Sequence, residues 1–312
     1  MANQRSIKES VRVDGINLYN NRKNHVTFHP AQEDSGLVFI VNRKAVSASL
    51  KHAQHRKRGI SLDNGKAAVY MVEHLLSPVY ALGIDNLIIE LSDNTCPTTD
   101  NCAEEFFQAL KGARSEQPAE KKFLVYDKKT GVIMKKGEEQ KPDSLNVRAS
   151  RGFTIDYFAS YPHKAIGEQK YHFEFDEGNY ERDIMQARSP ALFPDWVFEK
   201  LSEKHFFKIF LGSRHFGFHG INQRNYLLVG PKEAEHYANP PEFGVRYDGQ
   251  EFVRHKVLDV IGTLALFGRQ FKNTHFKFHM TGHKFDLDAL KQLDRRRYFK
   301  DYDGQHRRLY VL

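Results

Sequence analysis

Cysteine is nearly missing from this chain: of 312 residues only Cys96 and Cys102, both in CPTTDNC, carry a thiol. Two thiols cannot staple a chain of that length, and their spacing matches no zinc knuckle. The reading is two loop thiols in a reducing compartment. Long apolar runs are missing as well. None approaches the ~20 residues that span a bilayer, and the polar start MANQRSIKESVRVDG lacks the apolar core of a secretory leader. The expectation is a cytoplasmic protein, with no obligate protein partner evident.

What is there points to a folded protein. The hydrophobic fraction is 40%, with 24 Phe, and the length suffices for two domains, each burying its own core. The net charge of +8 and pI near 9.2 favour an anionic partner. A phosphorylated metabolite, nucleic acid and peripheral contact with an acidic membrane all fit. Basic residues cluster at His52–Arg58 (HAQHRKR) and from Asp294 onward, where a solvated face or loose tail would look the same. Charge alone does not choose among these, and nucleic acid is not expected.

Along the chain, VTFHP and GLVFIVN read as strands and Asp63-Asn64-Gly65 as a hairpin turn. A helix follows at VEHLLSPVYALG, with Gly83 at a good C-cap position, then the strand NLIIEL. AEEFFQALKGAR reads as a helix with acids first and bases last. The polar stretch 113–121 reads as a linker, which divides the chain into 1–120 and 121–312. Beyond it, KFLVYDKKTGVIMKK reads as a hairpin, and GFTIDYFAS and KYHFEFDE as strands. YERDIMQARS and PDWVFEKLSEKHF read as helices, KIFLGS and YLLVG as strands. EFVRHKVLDVIGTLALFG is a long apolar helix ending at Gly268, KNTHFKFHM a strand, and DLDALKQLDRRR an amphipathic helix. Each half thus has strands, a long apolar helix ending in Gly, and a strand behind it. That is an α+β pattern which suggests duplication, although no clean repeat is visible.

The chemistry gathers on the two long helices. His255 and Asp259 are four apart, on one helix face, a geometry suited to two ligands of one metal. The same spacing also serves surface ion pairs, but Val253, Val257, Leu258, Val260 and Ile261 bury most of this helix. Polar groups there need a metal or a hydrogen-bond network. Glu73 and His74 open the other helix, about 100° apart around its axis, so one can bind metal while the other faces substrate. His74, His255 and Asp259 complete a three-ligand catalytic zinc set with one open position. Glu73 is then a general base for water. In Thr281-Gly282-His283, a strand-to-helix turn, His283 is free to protonate a leaving amine. A competing metal pair, His279 and His283, ranks lower because Gly282 lies between them.

These residues carry a resemblance. VEHLLSPVYALGIDNLIIELS followed by CPTTDNCAEEFF resembles the first-domain signature of the UDP-3-O-acyl-N-acetylglucosamine deacetylases (LpxC family). RYDGQEFVRHKVLDVIG resembles the family's second-domain metal helix, and TGH its serine-glycine-histidine turn. Gly15-Ile16-Asn17-Leu18 with VTFHPA, and GFTIDYFASYPHKAI with KYHFEF, match further segments in order. The resemblance implies two similar α+β domains, each with β-sheets packed against helices in a β-α-α-β sandwich, and zinc at the domain cleft. It implies hydrolysis of the acetamide of an acylated UDP-sugar in lipid A synthesis. By it, His74, His255 and Asp259 are the zinc ligands, Glu73 the base and His283 the acid. Ser189 falls at the oxyanion-stabilising threonine. Lys256 and Tyr161 fall at substrate-binding positions, Tyr161 against uracil. An acyl passage comes from residues 191–229. A His-His-Asp site also accepts Fe2+.

Four positions depart from the family pattern. Thr263 stands where the family has the aspartate that supports the general acid, and its loss should lower the pKa of His283. Met280 replaces a lysine. Pro190-Ala191-Leu192 replaces Phe-Gly-Phe, and Asp100-Asn101-Cys102-Ala103 replaces Asp-Gly-Ser-Ala. Arg214-His215-Phe216-Gly217-Phe218 resembles the displaced Phe-Gly-Phe segment, with His215 as its stand-in. Three functions remain open: a deacetylase of the nucleotide sugar, a zinc amidase for another acylated amine, or a non-catalytic zinc-retaining binding protein. Glu73 argues against the last, since a structural zinc site needs no base. Ser189, Tyr161 and Lys256 would equally fit a helix-end cap, core filling and a snorkelling lysine.

Overall fold

In the computed structural model, residues 2–56, 59–136, 143–192, 224–239 and 241–302 are described. The helix expected at PDWVFEKLSEKHF, the strand KIFLGS and the segment from Arg214 to Phe218 lie outside them.

Two five-stranded sheets share one plan. In the first, the order is Val11–Ile16, Lys23–Pro30, Leu87–Leu91, Leu37–Val41, Lys44–Ser47. In the second it is Val132–Lys136, Asp143–Ala149, Thr274–His279, Thr154–Ser160, Glu168–Glu174. Each consists of two hairpins with the strand that comes last in sequence slotted between them. That central strand runs antiparallel to one neighbour and parallel to the other in both sheets. A parallel neighbour requires a crossover, and the long apolar helices supply it. The alternation of strand residues puts Val26, Phe28, Phe39 and Ile89 on the buried face of one sheet, and Leu145, Ile155, Phe276 and Phe278 on that of the other.

Five α-helices are described: α1 (Glu73–Ala81), α2 (Glu104–Ala113), α3 (Glu177–Asp183), α4 (Glu251–Leu264) and α5 (His283–Arg295). Helices α1 and α4 pack on each other, which is why both are apolar on nearly every side and almost wholly buried. Gly83 (φ 65°) ends the turn after α1, and Gly268 (φ 71°) caps the 3-10 turn after α4, as their positions predicted. Among the described residues no helix is long and apolar enough to cross a membrane. The architecture is mixed α+β.

Three local expectations are corrected. The stretch read as a linker is a strand, Arg114–Glu120, paired antiparallel with Asn3–Ile7. Its polar composition reflects a two-stranded ribbon with one wet face. The segment read as one hairpin divides between two sheets. Phe123–Tyr126 joins Gln270–Phe271 and Phe299–Asp301, while Val132–Lys136 pairs with Asp143–Ala149. The Tyr126 hydroxyl donates to the Thr130 carbonyl at 2.8 Å and braces the exit between them. The helix expected across YERDIMQARS stops at Asp183. There Ile184 and Met185 both donate to the Tyr180 carbonyl, and the chain turns to bury Arg188.

Strands before Glu120 pair among themselves, and so do strands after Phe123, in every ladder described. The strands Pro190–Leu192 and Leu227–Val229 run parallel, and Ala191 and Leu228 join Leu18 and Tyr226 in a small apolar cluster of their own.

Candidate metal centre

The first turn of α1 lies against the middle of α4. A β-carbon on Gly262 would overlap the backbone of Glu73, so glycine is what allows this approach. The contact brings His74 to the helix face that carries His255 and Asp259. His74 Nε2 lies 3.4 Å and His255 Nε2 3.3 Å from Asp259 Oδ1. All three ligand atoms fall within 4.8 Å of one another, and all three residues are buried. Spacings of 3.3–3.4 Å are those along the edges of a tetrahedron with ~2.0–2.2 Å metal–ligand bonds.

Asp259 Oδ1 is buried and has no hydrogen-bond partner. An orphaned carboxylate oxygen costs free energy unless something positive meets it. Two imidazole nitrogens aimed at the same point make a divalent cation the chemically natural occupant, so the donor set fits a metal. The protonation pattern agrees. Burial opposes the Asp259 charge, but His255, His283 and Lys256 outweigh it and hold the carboxyl well below its usual range. Burial pushes the His255 pKa down to about 3, leaving that ring neutral with a lone pair to give. Its Nδ1 donates to the Ala187 carbonyl at 3.0 Å, which assigns the free lone pair to Nε2.

Ser189 Oγ stands 3.0 Å from His255 Nε2 and 3.4 Å from His74 Nε2, so its hydroxyl faces the ligand cluster. Sequence reasoning missed what holds it there. Arg188 is wholly buried and forms a bidentate pair with Glu251, Nε to Oε1 at 2.7 Å and Nη2 to Oε2 at 2.9 Å. Its guanidinium also donates to the carbonyls of Arg224, Phe243 and Gly244. Every donor of a buried charge is thereby used. The only available signal was an arginine beside Ser189 and an acid opening the metal helix.

The second oxygen of Asp259 faces elsewhere. Oδ2 is 3.5 Å from His283 Nε2 and 3.5 Å from Lys256 Nζ. His283 is the first residue of α5, and the preceding turn is fixed by the Tyr157 hydroxyl donating to the Thr281 carbonyl at 2.6 Å. Burial works against the Lys256 cation, yet Asp259 raises its pKa. Thr263 turns its hydroxyl back to the Asp259 carbonyl at 2.9 Å, within its own helix.

Glu73 is 1% exposed. Its Oε2 accepts from the Ile60 amide at 3.0 Å, and Gly59 lies against its carboxylate, where a β-carbon would come within 2.5 Å of Oε1. Tyr161 packs its ring edge-on against Phe252 of α4, centroids 4.9 Å apart. His279 stacks on Phe158, away from the ligand cluster. A second group, Asp100, Cys102 and Glu104, is already satisfied internally. Cys102 Sγ donates to Asp100 at 2.8 Å, Arg246 pairs with Asp100, and Gln186 donates to Glu104. Both thiols are buried, and burial raises their pKa.

Compared with known proteins, residues 4–295 match the family described as UDP-3-O-acyl N-acetylglycosamine deacetylase (LpxC). A relative in Teredinibacter turnerae is 30% identical over 95% of this chain and 91% of its own. One in Nautilia profundicola is 30% identical over 93% and 91%, and one in Coxiella burnetii 27% identical over 94% and 90%. All three are named UDP-3-O-acyl-N-acetylglucosamine deacetylase.

Proposed function

The chain belongs to the LpxC family of UDP-3-O-acyl N-acetylglycosamine deacetylases, and from that premise we propose an amide hydrolase that removes acetate from UDP-3-O-acyl-N-acetylglucosamine in lipid A synthesis. His74, His255 and Asp259 hold one zinc ion, for which Fe2+ is the alternative. The observation that carries this is the partnerless Asp259 Oδ1 facing two imidazole nitrogens. A divalent ion bound there supplies Lewis acidity and brings the pKa of water to about 7.

The protein's own groups do the rest. Glu73 takes a proton from the attacking water, whose oxygen adds to the acetamide carbon. The Ser189 hydroxyl donates to the oxyanion that develops. The C–N bond then breaks, and His283 gives a proton to the leaving amine, releasing acetate and the free amino sugar. Lys256 and Tyr161 bind substrate; the acyl passage expected from residues 191–229 falls mostly outside the described residues.

Residues 1–120 and 121–312 form two similar domains in a β-α-α-β sandwich, with the metal at their cleft. The separate ladders on either side of Glu120, the shared strand plan and the α1–α4 contact support this. The site of action is the cytoplasm.

The test is acetate release from the acylated UDP-sugar by zinc-loaded protein. Turnover that chelator abolishes and Glu73→Ala lowers by a factor of about 10²–10⁴ is the expected result. A protein with stoichiometric zinc and no turnover would transfer the assignment to another acylated amine.

A further inference from the structure

Alternation along the second five-stranded sheet turns Leu145, Ile155, Phe276 and Phe278 into the core and the residues between them outward. The outward side holds a cavity of about 570 Å³, lined by Asp156, Phe158, Lys170, His172, Lys277 and His279. Helix α4 with Lys256, and the Tyr161 ring packed on its Phe252, lie on the other side of this sheet. Strand pairing sets Lys170, Phe158 and His279 side by side in one row, and Asp156 beside Lys277 in the next. His279 stacks on Phe158 with centroids 4.7 Å apart, and Lys170 Nζ lies 5.3 Å from the Phe158 centroid. Both polar ends are thus held in place before any ligand arrives.

The acids of this face are already engaged. Asp156 accepts from His172 Nδ1 and, at 2.9 Å, from His275 Nε2. Arg148 Nε donates to His275 Nδ1 at 3.1 Å, so His275 is a neutral ring with its proton on Nε2. Glu174, at the exposed rim, stands 3.7 Å from His172 Nε2. Lys170, Lys277 and His279 meet no carboxylate among the described residues. These three span two strand spacings, about 10 Å, around one cavity with no acid left to neutralise them. A carboxylate would present two acceptor oxygens to them; a phosphate monoester presents three, with about two charges.

We propose that this outward cavity binds a phosphate monoester held by Lys170, Lys277 and His279. The ester is a phosphatidate headgroup or a soluble phosphorylated metabolite, and the net charge of +8 favours either. The site is separate from the metal centre and does not depend on deacetylation.

The experiment uses the zinc-loaded full chain, as wild type and as the double variant Lys170→Gln with Lys277→Gln. Both lysines are exposed, so the variant should keep its zinc and its melting temperature. The first probe is sn-glycerol 3-phosphate, read by the imidazole NMR signals of His279 at constant ionic strength. Expected is a saturable shift with half-saturation near ~1 mM, weakened by about tenfold or more in the variant. The second probe is cosedimentation with phosphatidylcholine vesicles, with and without phosphatidic acid. Binding that requires phosphatidic acid and is lost in the variant admits the headgroup. A saturable shift without vesicle binding restricts the site to soluble esters. No response of the wild type to either probe overturns the proposal, and so does a response that the variant retains in full.

Discussion

Gly262 of α4 presses its Cα against the backbone of Glu73 in α1, so close that no side chain fits between them. This contact sets the separation of the two helices that carry His74 on one side and His255 and Asp259 on the other. Ligand atoms 3.3–3.4 Å apart tolerate little displacement, because metal–ligand bonds are short and stiff.

Gly262→Ala therefore pushes α1 from α4. The expected result is a loss of about 1–3 kcal/mol, the usual cost of overpacking a core. A weaker zinc affinity should accompany it, with a smaller rise in melting temperature on adding zinc. Thermal unfolding with and without zinc checks both. An alanine variant with unchanged zinc response would show that the helices do not set the site.

The Arg188–Glu251 pair is predicted to carry structure rather than charge chemistry. Glu251→Ala strands a buried guanidinium and should cost about 3–5 kcal/mol. Replacing both partners, Arg188→Met with Glu251→Leu, should recover part of that loss. Ser189 would then lose its anchor, so the double variant should be folded yet impaired in turnover. Urea unfolding and acetate release measure the two effects separately.

Asp286 should make stability fall toward alkaline pH. Burial, first among the causes, pushes its pKa up from the usual 3.8 to about 7. A raised folded pKa means the folded state binds the proton more tightly than the unfolded one. Its contribution is thus fully present below about 4 and is lost as pH rises through about 7. Each unit is worth about 1.4 kcal/mol, so the span is on the order of a few kcal/mol. Asp286→Asn removes this dependence. Its stability relative to wild type should rise between pH 5 and pH 8. Urea unfolding at the two pH values tests it; equal differences at both would refute the buried titration.

Much of the site was legible in the sequence because it is written in local spacing. His255 and Asp259 share a face through the helical repeat, and Glu73-His74 and Thr281-Gly282-His283 sit at helix starts that glycine and apolar periodicity mark. The two long helices and their glycine ends follow from the same local rules, as do most of the strands.

What tertiary structure alone decided is non-local. Whether 114–120 is a linker or a strand depends on Asn3–Ile7 lying beside it, and no property of a polar stretch announces its partner. The division of 123–136 between two sheets depends on ladders formed with residues far along the chain. Arg188 and Glu251, and Gly262 and Glu73, matter only as pairs, each assembled across different elements. Local periodicity determines which face a residue occupies; only packing determines what meets it there.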